Sequence, residues 1–293
     1  MSPPADQISS EQSLSVPVLA GVVALAIGVV VWLWRRGVLK SGGLEVGGLR
    51  TVGEPWRRWS WVALAAMGVG VFLLSQFGAA TALAFFPIDE IQARSLRSQG
   101  LANTCGLLAG IAGAGAALVM LGHGNRAEDV RIWPRHYAVG AVCFLLAAPV
   151  LVVVGAAAMM VYVLVTGHRV PEVGHELLRV MMERRSEPWA MALLIGAVVG
   201  APIVEEVVFR VLLQTAMQKA LGSAWSGILV TSVVFTAIHW GAVPPESFAV
   251  AAASLFALSV CMGVAYERTR MAGVPIVMHA MFNLANVGMA LAQ

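Results

Sequence analysis

Residues 189–210 read WAMALLIGAVVGAPIVEEVVFR, an apolar run that closes on two glutamates and an arginine. The run is long enough to enter a bilayer, because a helix needs about 20 apolar residues to cross a hydrocarbon core of about 30 Å. A charged side chain near the bilayer centre costs about 3 kcal/mol on insertion scales, and such residues usually serve a function. Charged residues make up only 12% of the chain, against 59% hydrophobic ones. The stretch therefore predicts a membrane span that carries a functional site.

Apolar runs of similar length recur along the chain and predict an all-α fold, a polytopic transmembrane helical bundle with about eight spans. The spans are expected near residues 16–34, 61–86, 101–122, 137–166, 189–204, 224–240, 247–266 and 273–291. The fifth is expected to continue as one helix to about residue 220. Gly106, Gly110 and Gly113 lie at spacings that let neighbouring helices pack closely. The lipid bilayer is thus the expected environment of most of the chain.

The chain divides into a polar N-terminal tail (1–15), a region of transmembrane helices and loops (16–187), and a membrane core that carries the polar motifs (188–291). Charged and apolar residues alternate at helical spacing over 172–185, which predicts an amphipathic helix on the membrane surface. Twelve Lys and Arg residues fall in one set of alternate loops and six in the other, which predicts that both termini lie outside the cytoplasm. The formal net charge of +3 gives no case for nucleic acid as a partner.

Charged residues enter the fifth span at helical spacing. Glu206 and Arg210 are four residues apart, so they share a helix face and are expected to pair. Glu205 is turned about 100° from Glu206 and is free to face another group. Pro202 lies just upstream, where it is expected to open the helix locally and release backbone carbonyls.

Two later spans bring further polar side chains into the membrane. His239 ends the sixth span, four residues after Phe235, and His279 and Asn283 lie four apart on one face of the last span. Lipid offers no hydrogen-bond partners to such groups. The expected partners of His279 and Asn283 are each other, Glu205 and His239. The sequence therefore predicts a buried polar pocket built from several helices.

Such a set of residues supports two routes to the same chemistry. A desolvated glutamate acts as a general base toward water, a neighbouring histidine orients that water, and a His–Asn pair donates hydrogen bonds to an oxyanion. Alternatively, Glu205, His239 and His279 hold a zinc ion with an open position for water. Both routes lead to attack of water on a carbonyl carbon, and so to hydrolysis of an amide or an ester.

Three motifs in this region resemble those of a known family. EEVVFR, FTAIH and HAMFN are similar to the EExxxR, FxxxH and HxxxN motifs of the CPBP family, which comprises type II CAAX prenyl proteases and bacteriocin-processing or Abi-type membrane proteases. AYERT (265–269) is also similar to a segment of these proteins. The resemblance covers about residues 188–290. Val211 departs from the pattern, because the family commonly has glycine after the motif arginine.

The resemblance implies a site sunk into the membrane, with a role for each motif residue. Glu205 would be the general base that activates water together with His239. Glu206 and Arg210 would support it as an orienting pair. The family has been described both as a metalloprotease and as a metal-free glutamate protease, and both possibilities stay open here.

His279 and Asn283 would complete the site as oxyanion donors, or His279 as a ligand to zinc. The implied function is an intramembrane endopeptidase acting on a membrane protein or peptide, lipidated or not, in the bacterial inner (plasma) membrane. Two other classes are weighed beside it: a transporter that uses the cluster as a proton site, and a non-catalytic immunity or scaffold protein. The first half of the chain shows no counterpart of the polar motifs, so it gives no sign of the inverted repeats of many transporters.

Overall fold

The described part of the computed structural model covers residues 16–40, 59–85, 96–122, 134–168 and 187–291, and its regular structure is helical throughout. Eight helices are long and apolar enough to cross a membrane. They are α1 (Val16–Arg35), α2 (Trp61–Phe85), α3 (Leu96–Gly122), α4 (Pro134–Thr166), α5 (Pro188–Leu221), α6 (Ala224–Ile238), α7 (Pro245–Thr269) and α8 (Gly273–Leu291). The predicted fold class and number of spans are confirmed.

The helices match the predicted spans, and several extend beyond them. α3 begins at Leu96, five residues before the predicted span, because the polar residues of its first turns continue the helix past the apolar run. α4 is continuous through Pro149 and, at 33 residues, spans about 50 Å, more than a hydrocarbon core needs. The expectations for the tail (1–15) and for the surface helix (172–185) concern segments outside the described residues.

α5 is the central helix of the bundle, and it is not a regular α-helix. Two stretches, Gly196–Gly200 and Val207–Gln214, have π-helical hydrogen bonding, and Ala201–Glu206 between them is α-helical. π-helical turns are rare and occur frequently at functional sites. Both motif glutamates therefore lie between two distortions of the same helix.

The apolar core surrounds α5 and extends to its neighbours α2, α6, α7 and α8. Its fully buried members include Leu64, Leu212, Ile228, Leu258 and Met262. Close helix approach occurs where glycines were expected to allow it: a Cβ atom on Gly106 would lie 3.0 Å from the Ser75 carbonyl oxygen of α2. The packing of α3 against α2 and α5 holds the first half of the chain against the motif-bearing half.

α1 is tied to the bundle at its C-terminal end. The Arg268 guanidinium, at the end of α7, donates hydrogen bonds to the carbonyl oxygen of Val38 at 2.9 and 2.6 Å and to that of Gly37 at 2.6 Å. The C-terminal end of a helix carries partial negative charge, which favours a cation at this position. The contact joins the first span to the region that carries the motifs.

Gly140→Ala is expected to destabilise the bundle, because a Cβ atom at this position would lie 2.6 Å from the Val277 Cβ and 2.9 Å from the Val274 carbonyl oxygen of α8. Overpacking of this kind costs about 1–3 kcal/mol. Thermal unfolding in detergent, followed with a thiol-reactive dye that labels the half-buried cysteines, measures the effect. Gly115→Ala is the matched control, since a Cβ atom there meets nothing within 4 Å. An equal unfolding temperature for both variants would contradict the close approach of α4 and α8.

Candidate active site

Glu206 and Arg210 form a fully buried ion pair on α5. The Arg210 Nε donates to the Glu206 Oε2 at 2.7 Å, and both side chains have 0% exposure. The Arg210 Nη2 donates to the Ser259 Oγ of α7 at 3.0 Å. The pairing predicted from the four-residue spacing is confirmed, and Ser259 anchors it to a second helix.

His279 binds the other oxygen of the same carboxylate. Its Nδ1 lies 2.9 Å from the Glu206 Oε1, and because a carboxylate accepts hydrogen bonds, Nδ1–H is the donor. The Nε2 is then directed toward Glu205, 4.0 Å from the Glu205 Oε2. The expected direct partners of His279 were Glu205, His239 and Asn283, and the structure adds Glu206, which was not among them.

The FxxxH spacing has a local structural reason. His239 follows the last residue of α6, and its Nδ1 donates to the Phe235 carbonyl oxygen, four residues earlier, at 2.7 Å. Carbonyls in the last turn of a helix have no intrahelical partner, so the imidazole satisfies one of them. The Nε2 is thereby left facing the Glu205 Oε2 at 4.0 Å.

The ring of Phe235 packs among the functional side chains. It is fully buried, with its centroid 4.6 Å from the His239 ring centroid and 5.8 Å from that of His279. The Arg210 guanidinium carbon lies 5.5 Å from the same centroid, within cation–π range. Phe235 therefore fixes the spacing of the two imidazoles as well as beginning the motif.

Asn283 satisfies a carbonyl that the distorted helix releases. The Ala201 N–H, which in an α-helix would bond to the Ala197 oxygen, bonds instead to the Gly196 oxygen. The next residue, Pro202, has no N–H to offer. The Asn283 Nδ2 donates to the Ala197 oxygen at 2.8 Å. The expected release of a carbonyl near Pro202 is confirmed, whereas the expected contacts of Asn283 with Glu205 and the histidines are replaced by this backbone contact.

Glu205 lies between the two imidazoles without bonding directly to either. Its Oε2 is 4.0 Å from the Nε2 of His239 and 4.0 Å from the Nε2 of His279, and it has no hydrogen-bond partner among the described residues. The side chain is 26% exposed and borders a cavity of about 90 Å³. A water molecule bridges groups at this separation, since each hydrogen bond to it spans about 2.8 Å. The arrangement thus provides a site for one water between a carboxylate and two imidazole nitrogens.

The distances at Glu205, His239 and His279 do not fit a closed zinc site. Tetrahedral zinc at about 2.0 Å from each ligand holds ligand atoms about 3.3 Å apart. The Glu205 Oε2 lies 4.0 Å from the Nε2 of each histidine. No group of three His, Cys, Asp or Glu side chains in the described ranges is arranged to hold a metal ion. Zinc binding would require both of these separations to shorten.

Sequence reasoning missed a row of polar contacts between α5 and α7, here called the polar seam. Its three hydrogen bonds join Arg210 to Ser259, Gln214 to the Gly263 carbonyl oxygen, and Gln218 to Glu267. Each bond joins residues 49 positions apart. Repetition at every fourth residue on both helices was visible in the sequence and is the signal that could have revealed the seam. The seam sets the register of α5 against α7 and so the position of Arg210.

The fold and the site together define an integral multi-pass membrane protein with a cluster of ionisable side chains inside its helical bundle. Residues 187–285 match a family model described as "Type II CAAX prenyl endopeptidase Rce1-like". This match includes all six predicted site residues and supports the resemblance of this region to the CPBP (CAAX protease) family. It supports a CAAX-type intramembrane endopeptidase in general. No curated protein and no solved structure matches the chain.

Proposed function

We propose that the chain is an intramembrane endopeptidase that cleaves a peptide bond of a membrane-associated substrate, with Glu205 as the base that activates water. The observation that carries this proposal is the position of the Glu205 Oε2, 4.0 Å from two imidazole nitrogens and beside a cavity. A general base must reach the proton it removes through a hydrogen bond of about 2.6–3.2 Å. A water molecule between these three groups meets that requirement.

The proposed reaction proceeds in two steps. Glu205 takes a proton from the bridging water while the water oxygen forms a bond to the carbonyl carbon of the substrate. This step gives a tetrahedral oxyanion. The carbon–nitrogen bond then breaks, and the protonated Glu205 returns its proton to the leaving amine. The Nε2 of His239 accepts a hydrogen bond from the second hydrogen of the water. This contact orients a lone pair of the water oxygen toward the substrate. The carboxylate is regenerated at the end of the cycle.

The remaining site residues are assigned positioning roles in this proposal. Glu206, itself held by Arg210, fixes the imidazole of His279 through the 2.9 Å hydrogen bond. Asn283 uses one N–H of its amide on the Ala197 oxygen, and its second N–H remains to donate to the oxyanion. Should zinc bind, Glu205, His239 and His279 would hold it, and the ion would supply a polarised water.

Cleavage by the purified protein is expected to continue in the presence of a chelator, because the proposed water spans the 4.0 Å separations at Glu205 without the help of a metal ion. The measurement uses detergent-solubilised protein and a panel of fluorogenic peptides, lipidated and unlipidated, with and without EDTA or phenanthroline. If cleavage were lost with chelator and restored by added zinc, the site would instead be a metal site. A protein that binds peptides of the panel but cleaves none would contradict the proposed activity.

The substrate and the compartment belong to the same proposal. The apolar surroundings of the site favour a substrate that reaches it from within the bilayer, such as the terminal segment of a membrane protein or a membrane-bound peptide. The family that the motifs resemble includes bacteriocin-processing proteases, and the compartment we propose is the bacterial inner membrane. Fractionation of cells that produce the protein tests this placement.

A further inference from the structure

The cavity beside Glu205 has walls from both halves of the chain. α5 and α6 contribute Glu205, Phe209 and Ile238, whereas α2 contributes Ser75 and Gln76. The α2 residues lie outside the segment that matches the family. The helices meet closely here: a Cβ atom on Gly110 of α3 would lie 3.0 Å from a methyl carbon of Val204 and 3.2 Å from the Ser75 Cβ. α2 is therefore part of the wall that a bound substrate would meet.

Gln76 is an unusual residue for its place in the fold. Its primary amide lies within a 25-residue membrane helix, is exposed, and makes no hydrogen bond to another described residue. Gln214 and Gln218, the glutamines of α5, differ because both are buried and bonded to α7 in the polar seam. Polar groups at membrane depth need partners, since lipid provides none. The amide of Gln76 is therefore available to form hydrogen bonds with a group that enters the cavity.

The backbone of a peptide bound near Glu205 needs hydrogen-bond partners. Its backbone N–H and C=O groups leave water when it enters the membrane, and each unpaired group costs several kcal/mol. A glutamine amide offers two donors and one acceptor, which match the C=O and N–H groups of an extended backbone. The cavity has a volume of about 90 Å³ and most of its lining residues are apolar, which suits one aliphatic side chain next to that backbone.

We propose that Gln76 is a substrate-binding residue that hydrogen-bonds the backbone of the bound peptide beside the scissile bond, while an aliphatic side chain of that peptide fills the cavity. This inference rests on the proposed peptidase function and extends the site to α2. It makes the first half of the chain a determinant of which peptides are cleaved.

The first test compares Gln76→Leu with Leu73→Gln on a peptide that the wild type cleaves. Gln76→Leu is expected to lower kcat/KM by about tenfold, the effect of one hydrogen bond of about 1.4 kcal/mol, mainly through KM. Leu73 is 58% exposed on the same helix and does not line the cavity. Leu73→Gln should therefore stay within about twofold of the wild-type kcat/KM, and thermal unfolding checks that both variants are folded.

The second test replaces single non-scissile amides of the peptide by esters, which removes an N–H donor and weakens a carbonyl acceptor. One such replacement next to the scissile bond is expected to cost the wild type about fivefold in kcat/KM and to cost Gln76→Leu little. An equal penalty in both proteins, or wild-type kinetics for Gln76→Leu, would overturn the role of Gln76. These outcomes leave the peptidase proposal standing, whereas a folded wild type that cleaves no peptide would overturn both.

Discussion

Glu205→Gln is expected to reduce peptide hydrolysis at least a hundredfold while the protein folds and enters the membrane as the wild type does. Loss of a general base typically costs 10²- to 10⁴-fold in rate, about 3–5 kcal/mol of barrier. Glutamine has nearly the shape of glutamate, and the Glu205 Oε2 has no hydrogen-bond partner in the described structure, so the substitution breaks no contact there. Initial rates at saturating peptide, together with thermal unfolding in detergent, give the two measurements.

Glu246→Gln is the matched control for this experiment. Glu246 is an exposed glutamate in the first turn of α7, and its replacement should leave the rate unchanged. Cleavage by Glu205→Gln at the wild-type rate would remove Glu205 from the mechanism. If Glu205→Gln lost both its cleavage activity and its cooperative unfolding transition, this carboxylate would have a structural role.

Arg210→Met is expected to cause the largest loss of stability among the site substitutions. The change leaves the carboxylate of Glu206 fully buried beside His279 alone, and breaking a buried ion pair in this way typically costs about 3–5 kcal/mol. It also removes the first contact of the polar seam, with Ser259. The loss of stability is measured from unfolding in detergent, with cysteine labelling as the readout.

A second substitution separates the charge effect from the packing effect. Arg210→Met combined with Glu206→Gln removes both charges, and replacing a whole buried pair is often close to neutral. The double variant is therefore expected to recover much of the stability that the single variant loses. A double variant as unstable as Arg210→Met would mean that packing of the arginine against Phe235 and Ser259, rather than the unpaired charge, dominates.

The parts of the site that lie within one helix could be predicted from the sequence. The Glu206–Arg210 pair and the separate direction of Glu205 both follow from the angle between successive residues of a helix. The eight spans follow from apolar runs of sufficient length. These predictions depend only on the chain's local geometry.

Contacts between helices were predicted less well. The sequence does not show how far each helix is rotated toward its neighbours, so the Glu206 partner of His279 and the Ala197 partner of Asn283 were not foreseen. Gln76 was missed for the same reason, because nothing near it in sequence indicates that α2 lines the cavity at Glu205. The catalytic roles of the motif residues stay predictions.

The π-helical stretches of α5 have a consequence for sequence comparison. Each residue advances an α-helix by about 100°, and a π-helical turn takes up about one residue more than an α-helical turn. A regular helix in another protein could therefore present equivalent faces with one residue fewer at Gly196–Gly200 or at Val207–Gln214. An alignment that forbids gaps inside helices would then superpose Glu205 on a residue that faces a different side of the bundle. Comparisons of α5 with other membrane helices should place their gaps in these two stretches.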